Sequence, residues 1–196
     1  MDMQLKEDFI RLWETYFNQA ELPLTFYYAD ESAQPATATR CIIAALGKAR
    51  RGDTVVLSAE SVHCFGGHSY LGFSEIITGE AFSDEYPYTF REYFLSCGIP
   101  GQIKGERFKK TPAICENMYR NMPPFKAPGR YCIFKRWDSL EAEDVPEVVI
   151  FLAKPDVMSG LYNLANYDTA DVNAAIAPWG SGCSSIVADP YREKDE

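Results

Sequence analysis

Both histidines of the chain lie in SVHCFGGHSYLGF, residues 61–73, on either side of a cysteine and a pair of glycines. A cysteine beside an imidazole supports two kinds of chemistry: the imidazolium lowers the thiol pKa, and both groups bind zinc or iron. His63 and Cys64 are adjacent, so in an extended chain their side chains point to opposite faces. The glycines between Cys64 and His68 predict a turn that brings these two side chains together. Cys64 is therefore a candidate nucleophile with His68 as its base, and the alternative is a buried thiol beside surface histidines.

Three glycine-rich segments are candidates for binding a cofactor. Glycine permits close approach of the backbone, so that successive amide groups can receive an anion or the edge of a cofactor. One segment is the glycine pair just described, the second is GSGC at residues 180–183, and the third is the basic segment SCGIPGQIKGERFKK at residues 96–110. None of them matches a P-loop or GxGxxG, and tight turns or a solvated charged face are the alternatives. The candidate cofactor-binding residues are Gly66, Gly67, Gly180, Gly182 and Cys97.

The six cysteines lie tens of residues apart and include no CxxC pair. This spacing argues against zinc ribbons, ferredoxins and thioredoxins, which use close local pairs. In a reducing cytosol the default is free thiols that pack as small hydrophobic groups. Core packing is the expectation for Cys41, Cys115 and Cys132, which lie in predicted helices and a predicted strand. Four thiols could converge on an iron–sulfur cluster or another metal, and the candidate ligands are Cys41, Cys64, Cys97 and Cys183.

Composition restricts the class of protein. The chain has 196 residues, of which 46% are hydrophobic and 14% aromatic, as is typical of a folded domain, and we predict one domain over residues 1–196. Its net charge of -9 opposes binding to nucleic acid or to an anionic membrane. There is no apolar run of the roughly 18 residues that span a bilayer, and the acidic N-terminus does not resemble a signal peptide. We expect a cytoplasmic protein with a small molecule as its partner, and the sequence does not indicate whether it forms a homo-oligomer.

Hydrophobic periodicity predicts alternating helices and strands. Apolar residues recur every three or four positions over residues 3–20 and 39–50, which predicts two amphipathic helices. Short apolar runs bounded by turn residues predict strands. The expected strands are LPLTFYY, DTVVLSA, RYCIFKRW and EVVIFLA, and further helices are expected in YTFREYFLS and PAICENMYRNM. The predicted fold class is α+β, a mixed α/β arrangement around a mixed sheet.

A strand–helix–strand pattern occurs twice, over residues 22–73 and again over about 146–190. An internal duplication would place Cys64 and Cys183 at equivalent positions, each in a glycine-rich turn after a strand. In open α/β sheets, ligands bind at that edge. We therefore predict that the two thiols face a shared pocket. The alternative is that strand–helix–strand units simply look alike.

Four segments together carry a resemblance to a known family. They are TRCIIAALGKARRGDTVVLSAESVHCFGGHSYLGF, FLSCGIPG, EVVIFLAKPDVMSGLYNLANY and WGSGCSS. With them, most of residues 20–190 resembles the domain of unknown function 169 family of anaerobic bacteria and archaea. The resemblance implies family cysteines at Cys41, Cys64 and Cys183, and it favours the iron–sulfur or metal hypothesis. It also implies family chains that continue beyond the last cysteine, so we expect this chain to be short or truncated.

Three functional hypotheses follow. The first is a small-molecule-binding or metallocofactor-binding protein of anaerobic metabolism, with an iron–sulfur cluster as one such cofactor. The second is an enzyme in which Cys64 is a nucleophile assisted by His68. The third is a non-catalytic accessory or interaction protein whose cysteines all belong to the core.

Overall fold

A computed structural model describes residues 1–74, 79–170 and 182–194. Its strands are β1 (Leu24–Ala29), β2 (Val55–Ser58), β3 (Gly98–Ile99), β4 (Ile103–Lys104), β5 (Tyr131–Arg136) and β6 (Val148–Ile150). Its α-helices are α1 (Met3–Tyr16), α2 (Ile42–Ala49), α3 (Phe65–Tyr70), α4 (Phe90–Leu95), α5 (Pro112–Asn121), α6 (Pro155–Ala165) and α7 (Asp189–Arg192). A 3-10 turn follows β5 at Trp137–Ser139, and a π-helical segment, Ser184–Ala188, leads directly into α7. The structure confirms the α+β class.

Four strands form the main sheet in the order β2-β5-β1-β6, with each neighbouring pair antiparallel. Side chains alternate between the two faces, because successive residues of a strand point in opposite directions. Phe26 of β1 lies opposite Phe134 of β5, and their ring centroids are 5.2 Å apart. Both rings are completely buried. They form the centre of the main core.

Helix α2 covers this core with the face that the sequence pattern predicts. Its buried residues are Ile42, Ala45, Leu46 and Ala49, which recur at helical spacing. The helix begins at Ile42, three residues later than predicted, because Cys41 is extended (φ -156°, ψ 124°) and is the N-cap residue. The predictions that placed Cys41 within a helix and in the core were therefore wrong, because it is an exposed N-cap residue.

The opposite face of the sheet carries a buried ion pair. Lys135 of β5 donates to Asp144 at 2.8 Å and to Glu141 at 3.1 Å. Asp144 also accepts hydrogen bonds from the hydroxyl of Tyr27 and, at 2.7 Å, from the amide of Glu141. Lys135 and Asp144 are 8% and 4% exposed. Buried charges are tolerated only when paired and hydrogen-bonded, as these are.

The remaining boundaries follow the sequence closely. Thr111 is the N-cap residue of α5, and Pro112 is its first helical residue, where the predicted helix PAICENMYRNM also begins. Thr89 and Glu92 form a capping box at the start of α4. Helix α1 ends at Tyr16 rather than at residue 20. No helix in the described parts of the chain combines the length and apolar character needed to cross a lipid bilayer.

The proposed duplication is only partly within the described residues. Strand β6 and helix α6 occupy the positions that the second unit requires. The second strand of that unit would fall in residues 171–181, which lie outside the described residues together with the candidate Gly180. The duplication and the single domain therefore stay predictions.

Candidate functional site

A pocket of about 410 Å³ lies where the starts of α2 and α3 meet α4, α5 and the segment before α7. We call it the cysteine pocket, because three thiols line it: those of Cys41, Cys64 and Cys183. Its walls are largely apolar and include the aromatic residues Phe65, Tyr70, Phe90, Phe94 and Tyr119. Segments that are far apart in the sequence therefore build one pocket, and Cys64 and Cys183 share it.

Two of these three cysteines stand at the start of a helix, since Cys41 is the N-cap residue of α2 and Cys64 that of α3. Cys183 directly precedes the π-helical segment and is itself helical (φ -68°, ψ -40°), so it does not lie in the predicted turn. The sulfur of Cys64 accepts a hydrogen bond from the amide of Gly67 at 3.4 Å. Helix starts carry unpaired backbone N–H groups and point their positive dipole end at the residue before them. The N-cap positions thus explain why the side chains of Cys41 and Cys64 lie at the pocket.

The thiol of Cys183 is the one whose acidity the pocket changes most clearly. Burial raises its pKa to about 12, and nearby Cys64 and Cys41 add to the shift because their thiolates would repel a charge on Cys183. A thiol with a raised pKa is protonated at neutral pH. Cys183 therefore has the properties of a neutral pocket-lining group and not those of an activated nucleophile.

We expect iodoacetamide to alkylate Cys183 about a hundredfold more slowly than the exposed Cys97 at pH 8, because its thiolate fraction is so small. The rate should rise as the pH approaches the pKa of about 12. Peptide mapping by mass spectrometry after timed quenching measures both thiols in the same sample. Equal rates for the two cysteines at pH 8 would contradict the buried position of Cys183.

The other three cysteines lie elsewhere. Cys115 and Cys132 are completely buried in the core, as expected. Cys97 is exposed and lines a different cleft, beside the β3–β4 hairpin and with Lys104 and Arg107. Within the described residues, no group of three or more Cys, His, Asp or Glu side chains is arranged to hold a metal ion. Three of the four candidate ligands, Cys41, Cys64 and Cys183, therefore line one pocket without forming such a group, and Cys97 lies outside that pocket.

His68 is not directed at Cys64. Its Nε2 lies 3.1 Å from the carbonyl oxygen of Ala59, and its Nδ1 lies 2.9 Å from the hydroxyl of Ser74. Since a carbonyl oxygen only accepts, the neutral ring carries its proton on Nε2, and Nδ1 accepts from Ser74. His63 is exposed. Both ring nitrogens of His68 thus have partners other than the thiol of Cys64, for which the sequence had predicted His68 as the base.

The glycine pair is not a turn, so this expectation was wrong. Gly66 and Gly67 lie in the first turn of α3. A Cβ atom on Gly67 would lie only 2.9 Å from Cδ1 of Ile42, so glycine lets α3 pack directly against α2. The amide of Gly67 is already bonded to the sulfur of Cys64. Of the predicted backbone donors, Gly66, Gly67 and Gly182 do line the pocket.

Sequence reasoning missed the main charged residue of the pocket, Arg91 of α4. It is 8% exposed, and its guanidinium carbon lies 3.8 Å from the ring centroid of Tyr119 and 5.6 Å from that of Phe65. Such stacking is a cation–π interaction. The carboxylate of Glu92 lies 3.9 Å away. The only signal in the sequence was an arginine within an aromatic helix, FREYFL.

A larger surface depression of about 670 Å³ lies between the end of α1 and the start of α6. Its lining includes Arg50 and Glu21, which pair with each other at 2.7 Å. No cysteine or histidine lines it. The cysteine pocket is therefore the better candidate for a functional site.

The fold and the site together define an α+β protein with an apolar pocket on which three free thiols converge. A family model matches residues 15–196, so the chain belongs to the domain of unknown function 169 family, described as "Uncharacterised ArCR". This match confirms the resemblance seen in the sequence. No curated protein and no solved structure matches the chain.

Proposed function

We propose that this chain is a cytoplasmic protein that binds a small, largely apolar molecule with one anionic group in the cysteine pocket. The observation that carries the proposal is the lining of that pocket. Five aromatic residues and the aliphatic Ile43 and Leu95 surround a volume of about 410 Å³. Small-molecule sites are typically of this size, mostly apolar, and provided with a few polar groups that fix orientation.

The preference for an anionic group comes from the charges at the pocket. Arg40 and Arg91 line it, with Glu106 as the only carboxylate among its described lining residues. This excess of positive charge stands out in a chain whose net charge is -9. Arg91 is also held in place by the ring of Tyr119. A fixed guanidinium pairs well with a carboxylate or phosphate.

The geometry supports this function over the other hypotheses. An iron–sulfur cluster usually takes four cysteine ligands, whereas three cysteines line the pocket. An enzyme with Cys64 as nucleophile needs a base, and the ring of His68 is bonded to Ser74 and Ala59. An accessory protein with only core cysteines accounts for Cys115 and Cys132 but not for the pocket thiols.

Anilinonaphthalene sulfonate, an aromatic anion, is a suitable probe of the pocket. We expect the native protein to bind it with increased fluorescence, and Ile43→Trp to weaken binding about tenfold, because the larger ring occupies the pocket. The matched control is Leu164→Trp, which adds the same ring at a residue of α6 that is 59% exposed. That variant should bind the probe as the native protein does.

The charge is tested with a second matched pair. Arg40→Gln should weaken probe binding by about twofold to fivefold, whereas Arg130→Gln, an exposed arginine outside the pocket lining, should not. Absence of probe binding by the native protein, or equal weakening by Ile43→Trp and Leu164→Trp, would refute the proposed function.

A further inference from the structure

Two of the pocket thiols occupy positions unlike those of the core cysteines. Cys115 and Cys132 have no exposed surface, as expected of thiols that act as hydrophobic groups. Cys64 and Cys183 are only partly buried and line the same pocket, although they are remote in the sequence. Both also pack against the main core.

The elements that carry these two thiols are in contact. Helix α3, which begins after Cys64, contacts the π-helical segment that begins after Cys183, and both thiols line the cysteine pocket. Two neighbouring thiols in an apolar pocket provide soft sulfur donors. Hard oxygen donors are scarce there, because Glu106 is the only carboxylate in the described lining, and it is exposed. Thiolate sites of this kind select soft metal ions such as Cu(I).

We propose that Cys64 and Cys183 together bind one soft, thiophilic monovalent metal ion, for which Cu(I) is the probe. The described residues contain no preformed group of three or more Cys, His, Asp or Glu donors, which is consistent with a site of low coordination number. Cu(I) accepts two thiolates, so the pair is sufficient. Binding converts two thiols and one M⁺ into a dithiolate complex of charge -1 and releases two protons. Arg40 and Arg91, which line the same pocket, offset that negative charge.

This inference goes beyond the proposed function, because it concerns the thiols and not the organic ligand. The two can fail separately. If anilinonaphthalene sulfonate binds but Cu(I) does not, only the metal site is wrong. If Cu(I) binds but the organic probe does not, only the proposed function is wrong.

The experiment is an anaerobic titration of the reduced full chain with Cu(I), added as its acetonitrile complex in competition with a chromogenic Cu(I) chelator. We expect one ion per chain and a thiolate-to-copper charge-transfer band in the ultraviolet. Cys64→Ser and Cys183→Ser should each lower the affinity by at least about a hundredfold, because each removes one of two ligands. The affinity should rise with pH, because binding releases protons.

The matched control is Cys97→Ser, which removes an exposed thiol outside the pocket and should leave Cu(I) affinity unchanged. Serine is close in size to cysteine, and circular dichroism with urea unfolding establishes that each variant is folded. The proposal is overturned if the native protein cannot compete with the chelator. It is equally overturned if Cys97→Ser loses as much affinity as the pocket variants, or if either folded pocket variant binds Cu(I) as the native protein does.

Discussion

Gly72→Ala is expected to lower the free energy of unfolding by about 2 to 5 kcal/mol, through left-handed backbone strain and steric overlap. Gly72 follows α3 with φ +74°, and a Cβ atom there would lie 2.3 Å from the amide nitrogen of Ala127. That amide donates to the carbonyl of Gly72 at 2.9 Å, so the two segments are in direct contact. Urea unfolding followed by circular dichroism measures the loss.

Gly101→Ala separates the two causes. Gly101 has nearly the same backbone angle, φ +73°, but no atom lies within 4 Å of the position of its Cβ. Only the backbone strain remains, and the expected loss is about 1 to 2 kcal/mol. If both variants lose the same free energy of unfolding, the steric overlap between the new Cβ atom at position 72 and Ala127 contributes nothing to the loss.

Because Gly72 lies two residues after α3, Gly72→Ala should also disturb the cysteine pocket. The segment from Cys64 to Leu71 includes the N-cap residue, the helix and the C-cap residue of α3. A shift of the helix moves Cys64 and the wall formed by Phe65 and Tyr70. Weaker binding of anilinonaphthalene sulfonate by folded Gly72→Ala, with unchanged binding by Gly101→Ala, is the expected result.

Elements with a strong local pattern could be predicted from the sequence. The inner face of α2 repeats at helical spacing, and Thr111 with Pro112 marks the start of α5. The four predicted strands all exist, and each is shorter than its apolar run, most clearly β2 and β6. In each case the signal lies within about ten neighbouring residues, which is the range over which propensity and capping act.

The error at α3 shows where local reasoning fails. Glycine is a poor helix former, so two adjacent glycines predict a turn. In the structure, the contact of Gly67 with Ile42 requires a residue without a side chain, and tertiary packing therefore outweighs helix propensity. The partner residue lies in α2, and no local pattern links the two. The predicted turn was wrong for this reason, and the predicted pairing of His68 with the thiol of Cys64 is replaced by contacts with Ser74 and Ala59.

The pocket itself depended on long-range packing. The repeat-like spacing of Cys64 and Cys183 correctly suggested that both thiols would lie near one pocket, and the structure places them there. The aromatic wall comes from α3, α4 and α5, and Arg91 reaches it by stacking on Tyr119 of α5. That contact joins residues of two helices whose relative orientation the sequence does not encode locally. The charged residue of the site was therefore not predictable from its neighbours.

The second large effect is expected at the buried ion pair on the outer face of the sheet. Asp144→Ala should lower the free energy of unfolding by about 3 to 5 kcal/mol, because it leaves the charge of Lys135 buried without its main partner. Burial alone would raise the pKa of Asp144, but hydrogen bonds from Lys135 and Tyr27 lower it below its ordinary value. Its stabilising contribution is therefore present above about pH 4 and is lost as the pH falls further. Urea unfolding from pH 7 to pH 3 should show the native protein and Asp144→Ala converging.

A double variant distinguishes loss of the partner from loss of packing. Adding Lys135→Met to Asp144→Ala removes the unpaired charge and should recover about 1 to 3 kcal/mol of the stability lost in the single variant. The exposed pair of Arg120 and Glu116, joined at 2.6 Å, is the control, and Glu116→Ala should cost less than about 1 kcal/mol. Additive losses in the double variant would show that Lys135 does not depend on Asp144. We expect the double variant to recover stability and Glu116→Ala to have little effect. Both results follow if burial makes the partner of Lys135 necessary, because water solvates an exposed charge but does not reach the buried ammonium group of Lys135.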